Sequence, residues 1–165
     1  MKYIITGPGG SGKSTLAKYL SSKKGLTIAK CSTNRPPRGS DDKEYYFVDD
    51  LSYFGNPNVI GHVYNGKWGY GWHKMVVVPA DIFVAGPELA LKLQNAVGKK
   101  NCMLIYLCPS KAEIKKRLAA RDMPGDTAEA RMKRDAAAFR KFEKLKAYDL
   151  KVSSFPIVEN DPVRQ

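Results

Sequence analysis

The first forty residues contain no Asp or Glu at all, against eight Lys and Arg. With a net charge of +12, this points to anionic ligands, either nucleotides or nucleic acid. Charge alone does not choose between them, because lysine pairs such as Lys99-Lys100 and Lys115-Lys116 are equally explained as solvated surface. No basic groove with interleaved aromatics and no nucleic-acid motif is present, so no nucleic-acid partner is expected. Cysteine is scarce. Cys31, Cys102 and Cys108 are odd in number and show no CxxC or Cys/His spacing, which argues against disulfides and zinc and for reduced thiols. No apolar run approaches the roughly eighteen residues of a membrane span, so no membrane partner is expected. Repeats, low-complexity tracts and linkers are also missing, and 165 residues suffice for one core. The chain enters a strand at once, leaving no room for a cleavable signal, and a cytoplasmic location is expected.

What the chain does have is Gly7-Pro8-Gly9-Gly10-Ser11-Gly12-Lys13-Ser14-Thr15, a full GxxxxGK[ST] phosphate-binding loop. Before it, Met1–Thr6 is β-branched and aromatic and reads as a strand. After it, Leu16 and Leu20 stand four apart among helix formers. Between strand and helix, glycines let successive backbone N–H groups converge on a polyphosphate, and the helix N-terminus adds partial positive charge. Lys13 is placed to neutralise β/γ-phosphates and the Ser14 hydroxyl to hold Mg²⁺. A nucleoside triphosphate and Mg²⁺ are the expected cofactors.

Alternating strand and helix patterns over most of the length predict a parallel α/β sheet flanked by helices. Gly25 is a C-terminal stop for the first helix, and Leu26–Ala29 reads as a second strand. Residues 33–74 break the alternation, with strand-like pieces at Tyr45–Val48 and Val59–Tyr64 and a hairpin turn at Asn65-Gly66. This segment is expected to be a small antiparallel insertion. Ile82–Ala85 and Met103–Leu107 read as buried strands around a helix over about 88–97. Ser110-x-x-Glu113 and Asp126-x-x-Glu129 are capping boxes opening two helices. Met132, Ala136 and Phe139 form the core stripe of the second, which runs to about Ala147, and a last strand lies around Lys151–Val158.

A second anion site is expected in Ser32–Gly39. Pro36-Pro37 stiffens the backbone between Arg35 and Arg38, and paired guanidinium forks suit phosphate. This loop follows a strand on the edge where open α/β sheets collect ligands.

With Thr33-Asn34-Arg35-Pro36-Pro37-Arg38-Gly39-Ser40 followed by Glu44-Tyr45-Tyr46-Phe47-Val48, the chain resembles the guanylate kinase family, whose members carry TTRxPRxGE…DYxFV after a phosphate loop. Trp68-Gly69-Tyr70 resembles the family's YG[ST], and Arg117, Arg121 and Arg131 its lid arginines. The resemblance implies a single domain with a core over 1–32 and 75–165, a monophosphate-binding insertion over about 33–74 and a short lid over about 122–130. It implies transfer of the ATP γ-phosphoryl group to a nucleoside monophosphate, GMP or dGMP first. Arg35, Arg38 and Tyr45 would grip the acceptor phosphate, while Lys13, Arg121 and Arg131 surround the migrating group. For Arg131 a helix-face ion pair with Asp135 is the alternative.

The chain departs from the family where the base is read. The base-contacting serine position is Cys31, and a thiol is a poorer hydrogen-bonding partner than a hydroxyl. Val59–Val63 lacks the family's guanine-reading glutamate, and the strand Ile82–Ala85 runs into Gly86-Pro87-Glu88 instead of DxDxQG. Glu88 can stand in for the missing acid, though a first-turn glutamate is equally explained by the helix dipole. Base preference therefore stays open, and a catalytically silent protein-binding module is the alternative to a kinase.

Overall fold

Lys2–Thr6 (β1) lies inside a parallel sheet in a computed structural model that describes residues 1–37, 39, 43–49, 51–120 and 127–154. Its neighbours are Ile82–Ala85 (here β6) and Cys102–Leu107 (β7), and Leu150–Val152 (β8) adds the far edge, giving the order β6-β1-β7-β8. Strand periodicity sends successive side chains to opposite faces. Ile4, Phe83 and Leu104 pack on one face against Leu89 and Leu93 of Pro87–Val97 (α3) and Phe139 and Phe142 of Ala128–Leu145 (α5). Ile5, Ile82, Ile105 and Leu107 pack on the other face against Leu16, Ala17 and Leu20 of Lys13–Lys24 (α1). Because both faces are covered, the strands read as apolar runs instead of alternating ones.

A second sheet has the order β3-β2-β5-β4, from Cys31–Thr33 (β2), Tyr45–Phe47 (β3), Val59–Asn65 (β4) and Trp68–His73 (β5). It is antiparallel except for the parallel β2–β3 pair. A four-residue helix, Lys74–Val77 (α2), leads back to the core, and Lys2 Nζ donates to the carbonyls of Val77, its last residue, and of Val78 and Ala80 just beyond it. Such carbonyls at a helix end need outside donors.

Several expectations change. Leu26–Ala29 is not a strand; it makes one isolated bridge, Ile28 to Ile82, while the Thr27 N–H goes to the Asp81 carboxylate. The strand lies later, at Cys31–Thr33, where it has partners on both sides in the second sheet. The hairpin turn centres on Gly66-Lys67 instead of Asn65-Gly66, since Asn65 pairs with Trp68, and Gly66 supplies the positive φ of +62°. The cap of α5 is Thr127, whose hydroxyl accepts the Ala130 N–H at 3.2 Å, and not Asp126, which lies outside the described residues. Ala136 is exposed; the buried positions of α5 are Phe139 and Phe142, and the helix ends at Leu145. Ser110 caps Lys111–Ala119 (α4) as expected, accepting the Glu113 N–H at 3.2 Å. The last strand is Leu150–Val152, and residues 155–158 lie outside the described residues.

Glu143 ties α5 to the sheet, accepting from Lys151 Nζ and Tyr106 OH, each at 3.1 Å. The Lys151 hydrogen bond holds its carboxyl below the usual carboxylate range, with burial opposing. A depressed folded pKa gives stability that is present above the unfolded value and is lost as pH falls through the folded one. Glu143→Gln should therefore cost about 0.5 kcal/mol at pH 7, a modest figure because both partners are partly solvated. Thermal melts from pH 7 to 3 should show the gap between variant and wild type closing toward the acid end.

Candidate active site

The phosphate loop follows β1 directly, and Gly12, in the left-handed conformation at φ +95°, caps α1. The backbone needs glycine here: a Cβ on Gly10, at φ +76°, would crowd Leu118 Cγ at 3.2 Å, and one on Gly7 would sit 2.5 Å from the Leu107 carbonyl oxygen. Lys13 opens α1, and its ammonium donates to the carbonyls of Gly7 at 2.7 Å and Pro8 at 2.9 Å, so it lies folded over its own loop. Thr6 Oγ1, just before the loop, and Ser11 Oγ, within it, are buried with no partner among the described residues. Two buried hydroxyls of this kind beside an amide-lined turn suit an anionic ligand.

Across a cleft of about 250 Å³, lined by Gly9, Gly10, Gly12, Lys13 and Ser14, stand Arg35, Glu44 and Tyr45 of the insertion, with Val84 of β6 and Arg131 of α5. Arg35 is buried at 8% exposure. Its guanidinium lies 5.1 Å from the Tyr45 ring centre and 5.8 Å from that of Phe47, and Nη1 donates to the Pro36 carbonyl at 2.9 Å. Stacking and one fixed hydrogen bond hold a planar fork toward the cleft. Burial, followed by the neighbouring Cys31, Tyr70 and Glu44, pushes the Tyr45 phenol up to about 12, with Arg35 opposing. At neutral pH it is a hydrogen-bond donor, as a phosphate contact requires.

The other expected site residues are placed differently. Tyr70 stands behind Tyr45, edge-on at 6.2 Å, and Trp68 is at the hairpin end under Lys67. Cys31 is buried in β2 with its thiol at 3.4 Å from the Gly71 carbonyl, and burial pushes that thiol up to about 12. Glu88, in the first turn of α3, is solvent-exposed and pairs with Lys92 at 3.5 Å. Neither lines the cleft described above. Thr15 follows Ser14 in α1, while Arg38 and Arg121 lie outside the described residues.

Three contacts at the loop have no local signal in the sequence. Glu44 Oε2 lies 3.3 Å from Ser14 Oγ. Arg117 of α4 donates to the Gly10 carbonyl at 3.3 Å while paired with Glu113, bracing the loop from behind. Asp135 of α5 accepts the Gly9 N–H at 2.6 Å, so a carboxylate holds one amide of the phosphate cradle. A phosphate seeking that amide meets a like charge. Asp135→Asn keeps an acceptor and removes the charge, and should tighten ATP or ADP binding roughly tenfold, the factor equal to about 1.4 kcal/mol. Isothermal titration calorimetry at low salt is the measurement.

Among the described residues, no group of three or more His, Cys, Asp or Glu side chains is placed to hold a metal unaided, and no helix is long and apolar enough to cross a membrane. A parallel sheet whose first strand runs through a glycine cradle into a helix defines a phosphate-loop nucleotide-binding fold.

No family model matches the chain. It is 29% identical to the guanylate kinase of Ruegeria pomeroyi over 139 residues, covering 76% of this chain and 64% of that relative, so it spans slightly less than two thirds of that protein. It is 26% identical to the guanylate kinase of Clostridium acetobutylicum, covering 88% of this chain and 74% of the relative. In three dimensions it is similar to the crystal structure of guanylate kinase from Anaplasma phagocytophilum, with a TM-score of 0.65 at 22% identity, covering 95% of this chain and 78% of that one. Together these likenesses support a divergent member of the guanylate kinase family.

Proposed function

We propose that this chain transfers the γ-phosphoryl group of ATP to a nucleoside monophosphate, with GMP and dGMP as the first acceptors to try. The observation that carries the reading is the pairing of two anion sites across one cleft: the Lys13 loop on the core, and Arg35 with Tyr45 on the insertion. Named relatives of the same fold, described as guanylate kinases, support it.

Phosphoryl transfer asks for little covalent chemistry from the protein and much alignment of two anions. The loop amides and Lys13 hold the β- and γ-phosphates of the donor. Arg35 and the Tyr45 hydroxyl, joined by Arg38, grip the acceptor phosphate and hold its oxygen toward the donor. Arg131, assisted by Arg121, neutralises charge on the migrating group. Such positioned charges typically account for about 3–4 kcal/mol each of transition-state stabilisation. The hard oxygen of the Ser14 hydroxyl would hold Mg²⁺, which would supply charge screening for the donor phosphates. Residues 33–74 act as the monophosphate-binding insertion and about 122–130 as the lid, within one cytoplasmic domain over 1–165. Water exclusion by these two parts keeps hydrolysis from competing.

Base choice rests on different residues. Cys31 and Glu88 remain the proposed base contacts, yet the first is buried and the second is on the surface. A preference other than guanine is therefore the second reading of the same reaction. Release of ADP from ATP, measured with each nucleoside monophosphate in turn, with none, and with DNA, tests it. ADP made only with a monophosphate supports the kinase and names its base. None with any acceptor overturns it in favour of a silent binding module, and DNA-stimulated release favours a nucleic-acid-dependent ATPase.

A further inference from the structure

We infer that Glu44 of the insertion completes the divalent-cation site with Ser14 of the phosphate loop, so that loading of the metal–nucleotide draws the insertion onto the core. The inference rests on the phosphoryl-transfer reading and adds to it a ligand from the acceptor-binding side. Glu44 immediately precedes β3, whose first residue, Tyr45, stacks on Arg35. Its carboxylate crosses the cleft to lie 3.3 Å from the Ser14 hydroxyl. Two adjacent oxygens of an octahedral Mg²⁺ site, each bonded at 2.0–2.1 Å, lie about 2.9 Å apart. The pair is therefore already near the spacing a shared cation needs.

Among the described residues that line the cleft, the core contributes no competing acid. β6 runs beside β1, where a phosphate-loop fold can supply a metal-holding carboxylate, but its sequence is Ile-Phe-Val-Ala and Val84 is what it turns into the cleft. Glu44 is the one carboxylate among the described residues lining the cleft. The nearby Asp135 is engaged by the Gly9 N–H. A carboxylate facing a bound triphosphate is unfavourable unless a cation stands between them. The same side chain should thus oppose metal-free nucleotide and favour the metal-loaded form. A residue that only positioned Tyr45 would not produce effects of opposite sign.

The test uses the full chain with a non-hydrolysable ATP analogue, and compares wild type with Glu44→Gln and Glu44→Asp. Mn²⁺ binding to the protein–analogue complex is read by electron paramagnetic resonance, and analogue affinity is measured separately in EDTA. Glu44→Gln should weaken Mn²⁺ binding about tenfold to a hundredfold, while affinity in EDTA stays level or rises. Glu44→Asp should retain more Mn²⁺ affinity than the Gln variant. Unchanged Mn²⁺ affinity in Glu44→Gln overturns the inference, whatever happens to the monophosphate KM, and so does wild type that binds the analogue without a Mn²⁺ site. Because no turnover is needed, a Mn²⁺ loss in Glu44→Gln alongside a wild type that phosphorylates no monophosphate supports the cation site and sinks the phosphoryl-transfer reading.

Discussion

Lys13→Ala should lower kcat/KM for phosphoryl transfer by about 100- to 1000-fold, the usual cost of removing one preorganised charge from a transition-state cradle. The ammonium sits at the first residue of α1 and reaches back to the Gly7 and Pro8 carbonyls, so it moves with the loop and stays near any bound phosphate. Its loss leaves those two carbonyls without their donor in a half-buried position, costing a fraction of the fold's stability; a circular-dichroism melt measures that part. Steady-state kinetics with saturating monophosphate separates the rest. A fall in kcat matching the fall in kcat/KM marks a contact made in the transition state, while a rise in KM for ATP at constant kcat marks a contact that binds ground and transition states alike. Near-normal turnover would remove the loop from the reaction altogether.

The parts of this site that were legible in the sequence are those built from consecutive residues. The glycine loop, the helix after it and Arg35 with Tyr45 each occupy one short segment whose side-chain chemistry speaks locally. The buried strands are legible for the same reason, Ile82–Ala85 at its full length and Met103–Leu107 one residue short of Cys102–Leu107, since a strand covered on both faces is a plain apolar run. The sequence misleads where pairing is decided by distant partners. Leu26–Ala29 has strand-like residues but meets only Asp81 and Ile82, through a few hydrogen bonds and one isolated bridge, whereas Cys31-Ser32-Thr33 has unremarkable residues and two partner strands, Tyr45–Phe47 on one side and Ser32 to Gly71 and Thr33 to Tyr70 on the other. Glu44, Arg117 and Asp135 meet the loop from residues 30, 107 and 126 positions away from their partners, so no spacing rule reaches them. A carboxylate on a phosphate-loop amide is also the reverse of what charge complementarity predicts from the loop alone.

Those three contacts give the cleft a consistent electrical logic. Lys13, Arg35 and Arg131 face it with positive charge, and Glu44 and Asp135 are positioned where a nucleotide and its cation would have to displace or recruit them. Elements far apart in the chain are thereby linked at one point: α5 through Asp135, the insertion through Glu44, α4 through Arg117. A ligand that displaces any of these contacts therefore acts on three elements together.

Arg35→Lys should raise the KM for the acceptor monophosphate about tenfold to a hundredfold with little change in the KM for ATP, since one hydrogen bond to a charged group contributes about 1.5–3 kcal/mol. Lysine keeps the charge but loses the planar fork that Tyr45, Phe47 and the Pro36 carbonyl hold in place. Arg35→Ala should raise that KM further and also loosen the insertion, because Arg35 is nearly buried and its guanidinium packs against both aromatic rings. The two variants therefore separate recognition from packing. If Arg35 acts on the acceptor, Arg35→Lys changes one KM and leaves the melting temperature close to wild type. If it acts only as packing, both substrates suffer in proportion to the loss of stability, and the lysine variant shows little kinetic effect of its own. Initial rates over a grid of ATP and monophosphate concentrations, paired with thermal melts of the same samples, decide between them. The first outcome places the acceptor phosphate against the insertion, opposite Lys13, where the two anions meet across the cleft.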